Sequence, residues 1–333
     1  MTVSIAFVHG MLQGVRARNE AFDVYLEDAG IAIELLDQPA GRMTSDQYVA
    51  LFRSLTDRRN DDLLGFLSRP LRRGSMAMVF RAAISATTID VAMRRAAHVF
   101  GLLQDDVTLE SVRDGELAGW ALRFREAARS RPTFLHEVLL RVLWRLLAWL
   151  AGGRLPAARF DFAFDVPPYA GSYGPVFPAP LRFAQAQSAL WFDAKLLQHP
   201  VRRDDVALRE FLVDAQSQMI VPRRGADVVA NRIRDYLHRM QPAWPGLAAC
   251  AEAMHMSTAT LQRRLAQEGI SFQSLKDDLR RDLAIFRLNT SSVSVGALAG
   301  ELGFADSAAF QRAFKNWTGS APGPYRRGAT AKP

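Results

Sequence analysis

Residues Val295–Arg327 read VGALAGELGFADSAAFQRAFKNWTGSAPGPYRR, and this run decides what the last third of the chain becomes. Ala297, Leu298 and Leu302 give one short helix an apolar face. Gly303 follows as the turn residue, since only a residue without Cβ takes positive φ at little cost. Asp306 or Ser307 is placed to cap a second helix by accepting from a free backbone N–H. In that helix Phe310, Phe314 and Trp317 recur at spacings of four and three, the interval of one buried stripe. Ser307, Ala308, Gln311 and Arg312 fall on other faces. A helix pair with glycine in the turn, apolar inside and Gln/Arg outside, fits a major groove.

The pattern occurs twice. ACAEAMHMSTATLQRRLAQEG, Ala249–Gly269, aligns with the later copy through its Gln-Arg pair: Gln262-Arg263 answers Gln311-Arg312, and Leu261 and Leu265 answer Phe310 and Phe314. The later copy carries one extra residue in the turn. His255 stands where the later copy has Gly303, and histidine tolerates left-handed geometry better than most side chains. A duplication weighs more than a lone helix-turn-helix pattern, which is a common false positive. Between the copies, Phe272 to Leu288 reads as one helix with Leu275, Leu279, Leu283 and Phe286 on one side. At ~1.5 Å per residue it spans about 25 Å, a rod able to hold two heads near the ~34 Å spacing of successive major grooves.

From about residue 228 to Arg327 the chain resembles the DNA-binding domain of the AraC/XylS family of bacterial transcription regulators. The resemblance lies in MHMSTATLQRRL, SFQSLKDDLRRDLA, ELGFADSAAFQRAFKNWTG and the closing Pro-x-x-Tyr-Arg within Ala321 to Arg326. It implies base-edge positions at Ala259, Gln262 and Arg263 in the first head, beside Ser257 and Thr258. In the second head it implies Ser307, Ala308, Gln311 and Arg312, with Lys315 nearby. Gln pairs with adenine and Arg with guanine, each through two hydrogen bonds. Ala259 and Ala308 offer only apolar contact, for instance to a thymine methyl. The plainer reading of Arg263 and Arg312 is a phosphate contact or a solvated face. Arg264 is expected nearer the core.

The 333 residues have room for two domains, and the net charge of +8 is uneven. From Asp227 onward there are 14 Lys+Arg against 9 Asp+Glu; the first 226 residues carry 28 against 25. The denser positive surface is therefore C-terminal, as a phosphate-binding domain should be, although a merely Arg-rich composition gives the same charge. One cysteine, Cys250, makes neither an intramolecular disulfide nor a Cys-based zinc site, which fits a reducing cytoplasm. The N-terminus lacks the pattern of a signal peptide. Phe134 to Leu150, FLHEVLLRVLWRLLAWL, contains His136, Glu137, Arg141 and Arg145 and is short of a membrane span, so it reads as a helix with a wide buried face.

Before residue 221 the periods mix. Helices are expected over Arg16 to Ala29, after the Thr44-x-x-Gln47 capping box, over Asp62 to Leu67, and after caps at Ser75 and Thr88. Val107 onward alternates, turns at Asp114-Gly115 and alternates again from Leu117, which is a hairpin pattern. Further strands are expected at Arg159 to Val166, Leu181 to Phe183 and Ala189 to Phe192, and a helix at Asp205 to Met219. The fold class is thus an α+β N-terminal domain, helices on a small mostly antiparallel sheet, followed by an all-α domain with two helix-turn-helix motifs joined by a connecting helix. The domains are 1–220 for effector binding and dimerisation, 221–227 (VPRRG at its start) for a linker, and 228–333 for DNA binding.

The first 219 residues resemble, more loosely, the arabinose-binding-type sensor domain of one branch of the same family, through MTSDQYVALFRSLTD and RRGSMAMVFRAAISATTIDVAMRRAAHVFGLL. The sugar is not carried over. Tyr169, Tyr173 and Phe177 are candidate effector-pocket residues; Phe160, Phe162 and Phe164 read as plain core. Arg72, Arg73 and Ser75 are a candidate anion site at a helix N-terminus. The six histidines show no ligand spacing, the paired aspartates read as helix caps, and no phosphate loop or nucleophile motif occurs. No metal, cofactor or catalytic residue is expected.

Together these features point to a cytoplasmic, nucleoid-associated regulator, an activator or a repressor, with double-stranded promoter DNA, RNA polymerase and a small-molecule effector as partners, a homodimer, and no membrane. The alternative is a ligand-independent DNA-binding regulator whose N-terminal domain only dimerises, through the wide face of Phe134–Leu150. An enzyme with a DNA-binding tail lacks any catalytic constellation.

Overall fold

The computed structural model describes residues 2–153, 155–174, 176–213, 229–268 and 270–326. They fall into two compact units. One comprises Met1–Ile5, Gly30–Tyr48 and Arg223–Pro333; the other comprises Ala6–Ala29 and Val49–Pro222. Two pieces of the expected 1–220 block thus belong by contact with the helical unit. The expected linker, 221–227, lies outside the described residues.

The second unit is built on a five-stranded sheet. Strand β3 (Val107–Asp114) pairs antiparallel with β4 (Leu117–Phe124), with Asp114 opposite Leu117 and Gly115 at φ 56 in the turn. β4 pairs with β7 (Ser188–Asp193), β7 with β5 (Arg159–Asp161), both antiparallel, and β5 with β6 (Leu181–Arg182) in parallel. Helix α6 (Thr133–Leu150) packs against β7, and Trp144 meets Phe160 edge-on at 5.8 Å. No residue of α6 is exposed, so the face suggested for dimerisation is already covered.

Around it stand α1 (Ile5–Arg16), α2 (Asp23–Ala29), α3 (Ser45–Arg59), α4 (Ser75–Ile84), α5 (Ile89–Leu103) and α7 (Asp205–Val213). Residues 214–219 of the helix expected over Asp205 to Met219 lie outside the described residues. The capping box that starts α3 is present: Gln47 N donates to Thr44 Oγ1 at 3.2 Å, and Thr44 N donates to Gln47 Oε1 at 2.9 Å.

Four local expectations give way. Ser75 does not cap α4: it is the first residue of that helix, and Gly74 at φ 93 takes the cap position. Arg16 to Ala29 is not one helix: α1 ends at Arg16, Asn19 turns at φ 53, and α2 starts at Asp23. Asp62 to Leu67 is a turn, because the Asp61 carboxylate gathers the amides of Leu63, Gly65 and Leu71 at 2.9, 2.7 and 3.1 Å. A side-chain acceptor competes there with helical hydrogen bonding. The third strand is shorter than expected, ending at Asp161, although Phe160, Phe162 and Phe164 are all buried as core.

In the other unit, β1 (Thr2–Ser4) and β2 (Arg42–Thr44) form an antiparallel pair. It is held to α11 (Phe272–Thr290): Thr2 Oγ1 donates to Asp282, and Gln47 Nε2 donates to Asn289 Oδ1 at 2.9 Å. Arg42 N donates to the Tyr325 hydroxyl at 3.2 Å, and Tyr325 is buried against Phe314. The remaining helices are α8 (Val229–Arg239), α9 (Leu247–Ala253), α10 (Thr258–Gln267), α12 (Val295–Glu301) and α13 (Ser307–Thr318).

Candidate nucleic-acid interface

The two sequence copies fold alike. In the first, Met254 caps the end of α9, His255 takes φ 55, and Met256 N donates to Ala251 O at 2.9 Å. In the second, Leu302 caps the end of α12, Gly303 takes φ 71, and Phe304 N donates to Ala299 O at 2.9 Å. Each turn is closed by the same bond to a carbonyl five residues back, so the left-handed residue is a requirement of the turn at both places. The extra residue of the later copy falls before the second helix. Ser257 caps α10 by accepting from Thr260 N at 3.2 Å, and Asp306 caps α13 by accepting from Ala309 N at 2.7 Å.

Leu261 and Leu265 are buried with Ile233, Cys250, Ala251 and Leu275 in the first head. Phe310 and Phe314 are buried in the second, where Phe304 lies 5.7 Å from Phe310 and 5.9 Å from a half-buried Trp317. On α12 the buried residues are Leu298 and Ala299, followed by a buried Leu302 at its end; Ala297 is exposed. Ser257, Thr258, Ala259, Gln262 and Arg263 are exposed, as are Ala308, Gln311, Arg312 and Lys315, while Ser307 is half-buried. Arg264 is exposed as well, contrary to its expected core-side position, because Leu261 and Leu265 alone define the buried edge of α10. Neither α10 nor α13 contains an acidic residue, and among the described residues no carboxylate pairs with Arg263 or Arg312.

The connecting helix expected over Phe272 to Leu288 is present, but the side chains that lock the heads together were not legible in the sequence. Helix α11 runs 19 residues, about 28 Å at ~1.5 Å each, capped by Ser271 with Ser274. Its buried residues include Leu275, Ala284, Ile285 and Leu288; Phe286, expected inside, is 45% exposed. The loop before α9 carries Trp244, whose indole N–H donates to Glu301 O at 2.8 Å. The Arg280 guanidinium lies 5.2 Å from the Trp244 ring and 5.0 Å from the Phe304 ring. Lys276 Nζ donates to Trp244 O at 2.8 Å, and Arg287 pairs with Glu301 at 2.7 Å. A side chain from the first head therefore seals the turn of the second. The only hint in sequence was a tryptophan between prolines, Pro242 and Pro245.

In the sheet unit, two of the candidate effector residues meet a carboxylate that sequence reasoning placed on α6 without assigning it a role. Tyr169 Oη donates to Glu137 Oε1 at 2.9 Å, and Tyr173 Oη donates to the same oxygen. Glu137 Oε2 is buried without a hydrogen-bond partner. Burial pushes the Glu137 carboxyl up from 4.5 to about 7, against the lowering effect of the two phenols. Burial, then the negative charge of Glu137, raises both phenols above their ordinary value. Phe177 packs on Tyr173 at 5.3 Å. Arg72 is exposed, and Ser75 is the first residue of α4; the amides of Gly74 and Met76 already donate to the Asp62 carboxylate at 3.1 and 2.9 Å. A carboxylate already fills that helix N-terminus, so it offers no open anion site.

A family model described as the arabinose-binding domain of AraC transcription regulator, N-terminal, matches residues 21–201, and a helix-turn-helix domain model matches 250–328. The chain belongs to the AraC family of transcription regulators. It is a DNA-binding helix-turn-helix regulator, not an enzyme, with an arabinose-binding-type N-terminal domain. It is similar to the ornithine utilization regulator of Pseudomonas aeruginosa, with 26% identity over 97% of this chain and 96% of that one. It is also similar to the regulator VqsM of the same organism, with 34% identity over 29% of this chain and 30% of that one. Among solved structures, the regulator CdpR of Pseudomonas aeruginosa is 20% identical over 85% of this chain and 87% of that one, with a TM-score of 0.34. Among the described residues, no helix is long and apolar enough to cross a membrane.

Proposed function

We propose that this AraC-family protein binds promoter DNA sequence-specifically through both heads and that a small molecule bound in its sheet unit controls that binding. Gln262 and Arg263 on α10, and Gln311 and Arg312 on α13, read base edges; Ser257, Thr258, Ala259, Ser307, Ala308 and Lys315 support them at the backbone or through apolar contact. One observation carries this reading: two helices of the same construction each present an exposed Gln-Arg pair free of acidic neighbours on their own helix. Double-stranded DNA is the partner, and RNA polymerase is a second partner at the promoter.

The relative that matches along nearly its whole length is named for ornithine utilization, and that name belongs to that protein. It supports a metabolite as the signal here. Effector binding shifts the population of arrangements in which the heads reach DNA.

The test is fluorescence anisotropy with the protein's own upstream DNA against random DNA at moderate salt. A clear preference is expected. Arg263→Ala and Arg312→Ala should each reduce specific affinity by about 5- to 150-fold, the equivalent of ~1–3 kcal/mol per bidentate contact, with unchanged helical CD. Equal binding to both DNAs, or variants that bind like the parent, would overturn the reading.

A further inference from the structure

We propose that Glu137, with Phe7, Tyr169 and Tyr173, forms the seat for an organic ammonium ligand, so that the signal sensed is a cationic amine. This rests on the sensing role above and supplies its ligand class.

The Glu137 carboxyl is only half matched by its surroundings. Both phenols donate to Oε1 and leave Oε2 buried and unsatisfied. As an anion, Glu137 is a charge held in a 3% exposed site by two neutral donors. As an acid, its Oε2–H has no acceptor. Either form leaves a buried polar atom unmatched, which is unfavourable and seldom tolerated without a use. An N–H donor that also carries positive charge corrects both defects at once. A neutral sugar hydroxyl corrects only one, and a fatty-acid carboxylate worsens the charge.

The walls fit the same chemistry. Phe7 lies 5.8 Å from Tyr169 and 6.2 Å from Tyr173, centroid to centroid, and the two tyrosines are 5.8 Å apart. Three ring systems gathered beside a carboxylate provide the faces and the counter-charge that organic cations prefer. Their placement follows from packing: α1 approaches α6 where Gly10 lies against Phe134, so close that a Cβ would come within 2.6 Å of that ring. Phe7 is one turn earlier on α1. Tyr169 is half-buried, which makes it the side of the cluster that reaches solvent.

The neighbouring charges do not fill this role. Arg141, one turn along α6, donates to Val176 O and lies 5.7 Å from the Trp144 ring. His136 turns to Ser188 Oγ at 2.8 Å and Ala128 O at 3.0 Å. On α1, His9 sits 3.2 Å from Arg16.

The experiment is a thermal-shift and calorimetric series on the full chain with 1,4-diaminobutane, L-arabinose and laurate as probes. Expected is stabilisation by 1,4-diaminobutane alone, with affinity rising up to about tenfold per pH unit between pH 6 and 7 and levelling off by pH 8, as Glu137 ionises. Glu137→Gln should abolish it. Tyr169→Phe removes one donor to the carboxylate, so its amine affinity should fall at pH 7 and recover at pH 8.5; this variant keeps the test decisive if Glu137→Gln folds poorly. No stabilisation by the diamine, or an unchanged effect in both variants, overturns the amine seat. Stabilisation by arabinose or laurate instead also overturns it while leaving the sensing role standing.

Discussion

Replacing Glu137 with glutamine should change how stability depends on pH, by an amount that follows from two adjacent residues of α6. Glu137 is raised from 4.5 to about 7, chiefly by burial. An acid whose folded pKa is raised contributes stability below its unfolded pKa and loses it as pH climbs through the folded one. A shift of about 2.5 units at ~1.4 kcal/mol each amounts to roughly 3 kcal/mol lost between pH 4.5 and 7. His136 is lowered from 6.5 to about 4, again chiefly by burial. The folded protein holds it neutral, so its contribution is full above pH 6.5 and is lost, by a similar amount, as pH falls towards 4.

Between pH 4.5 and 6.5 the two slopes therefore oppose and nearly cancel. In the Glu137→Gln variant the introduced amide would mimic the neutral acid, accepting from Tyr169 and Tyr173 without the charge. Urea unfolding of parent and variant at half-unit steps from pH 4.5 to 8, read by far-UV CD, isolates the effect in the difference curve. The variant should match the parent near pH 4.5 and exceed it by roughly 3 kcal/mol at pH 8. Its own curve should show the fall towards low pH that His136 imposes. A difference that stays flat across the range would refute the burial argument for Glu137.

Other outcomes test the reading heads. Gly303→Ala should destabilise the helical unit by about 2 kcal/mol by urea melts, because φ 71 strains any L residue and its Cβ would lie 3.0 Å from Trp244. At the matching turn, His255→Gly should be neutral to stabilising by up to ~1 kcal/mol, relief of strain being offset by the freedom glycine gains when unfolded. Arg280→Ala removes the cation shared by Trp244 and Phe304; it should weaken binding to DNA spanning both head sites several-fold more than binding to either half alone, as measured by anisotropy. Equal weakening of both would mean that Arg280 does not set the spacing of the heads.

The duplicated motif, a cap at Asp306 or Ser307 in its later copy, its extra turn residue and its buried leucine and phenylalanine stripes were legible from Ala249–Arg327 alone. So were the capping box at Thr44 and the hairpin around Gly115. Each of these is a short-range fact, in which a side chain acts on an amide a few residues away or repeats at the helix period, so adjacent sequence suffices to determine it. The rest depended on residues far apart in the chain. Thr2 meets Asp282, Trp244 closes the turn at Gly303, and Tyr169 and Tyr173 converge on Glu137. Helix periodicity marked α6 as apolar but not that it is covered on every side, and that covering is what gives Glu137 its raised pKa. Sequence determined how each head is built; the tertiary structure decided which side chains lock the heads together and where a carboxyl is buried half-satisfied, because burial and long-range pairing depend on what the whole chain brings together.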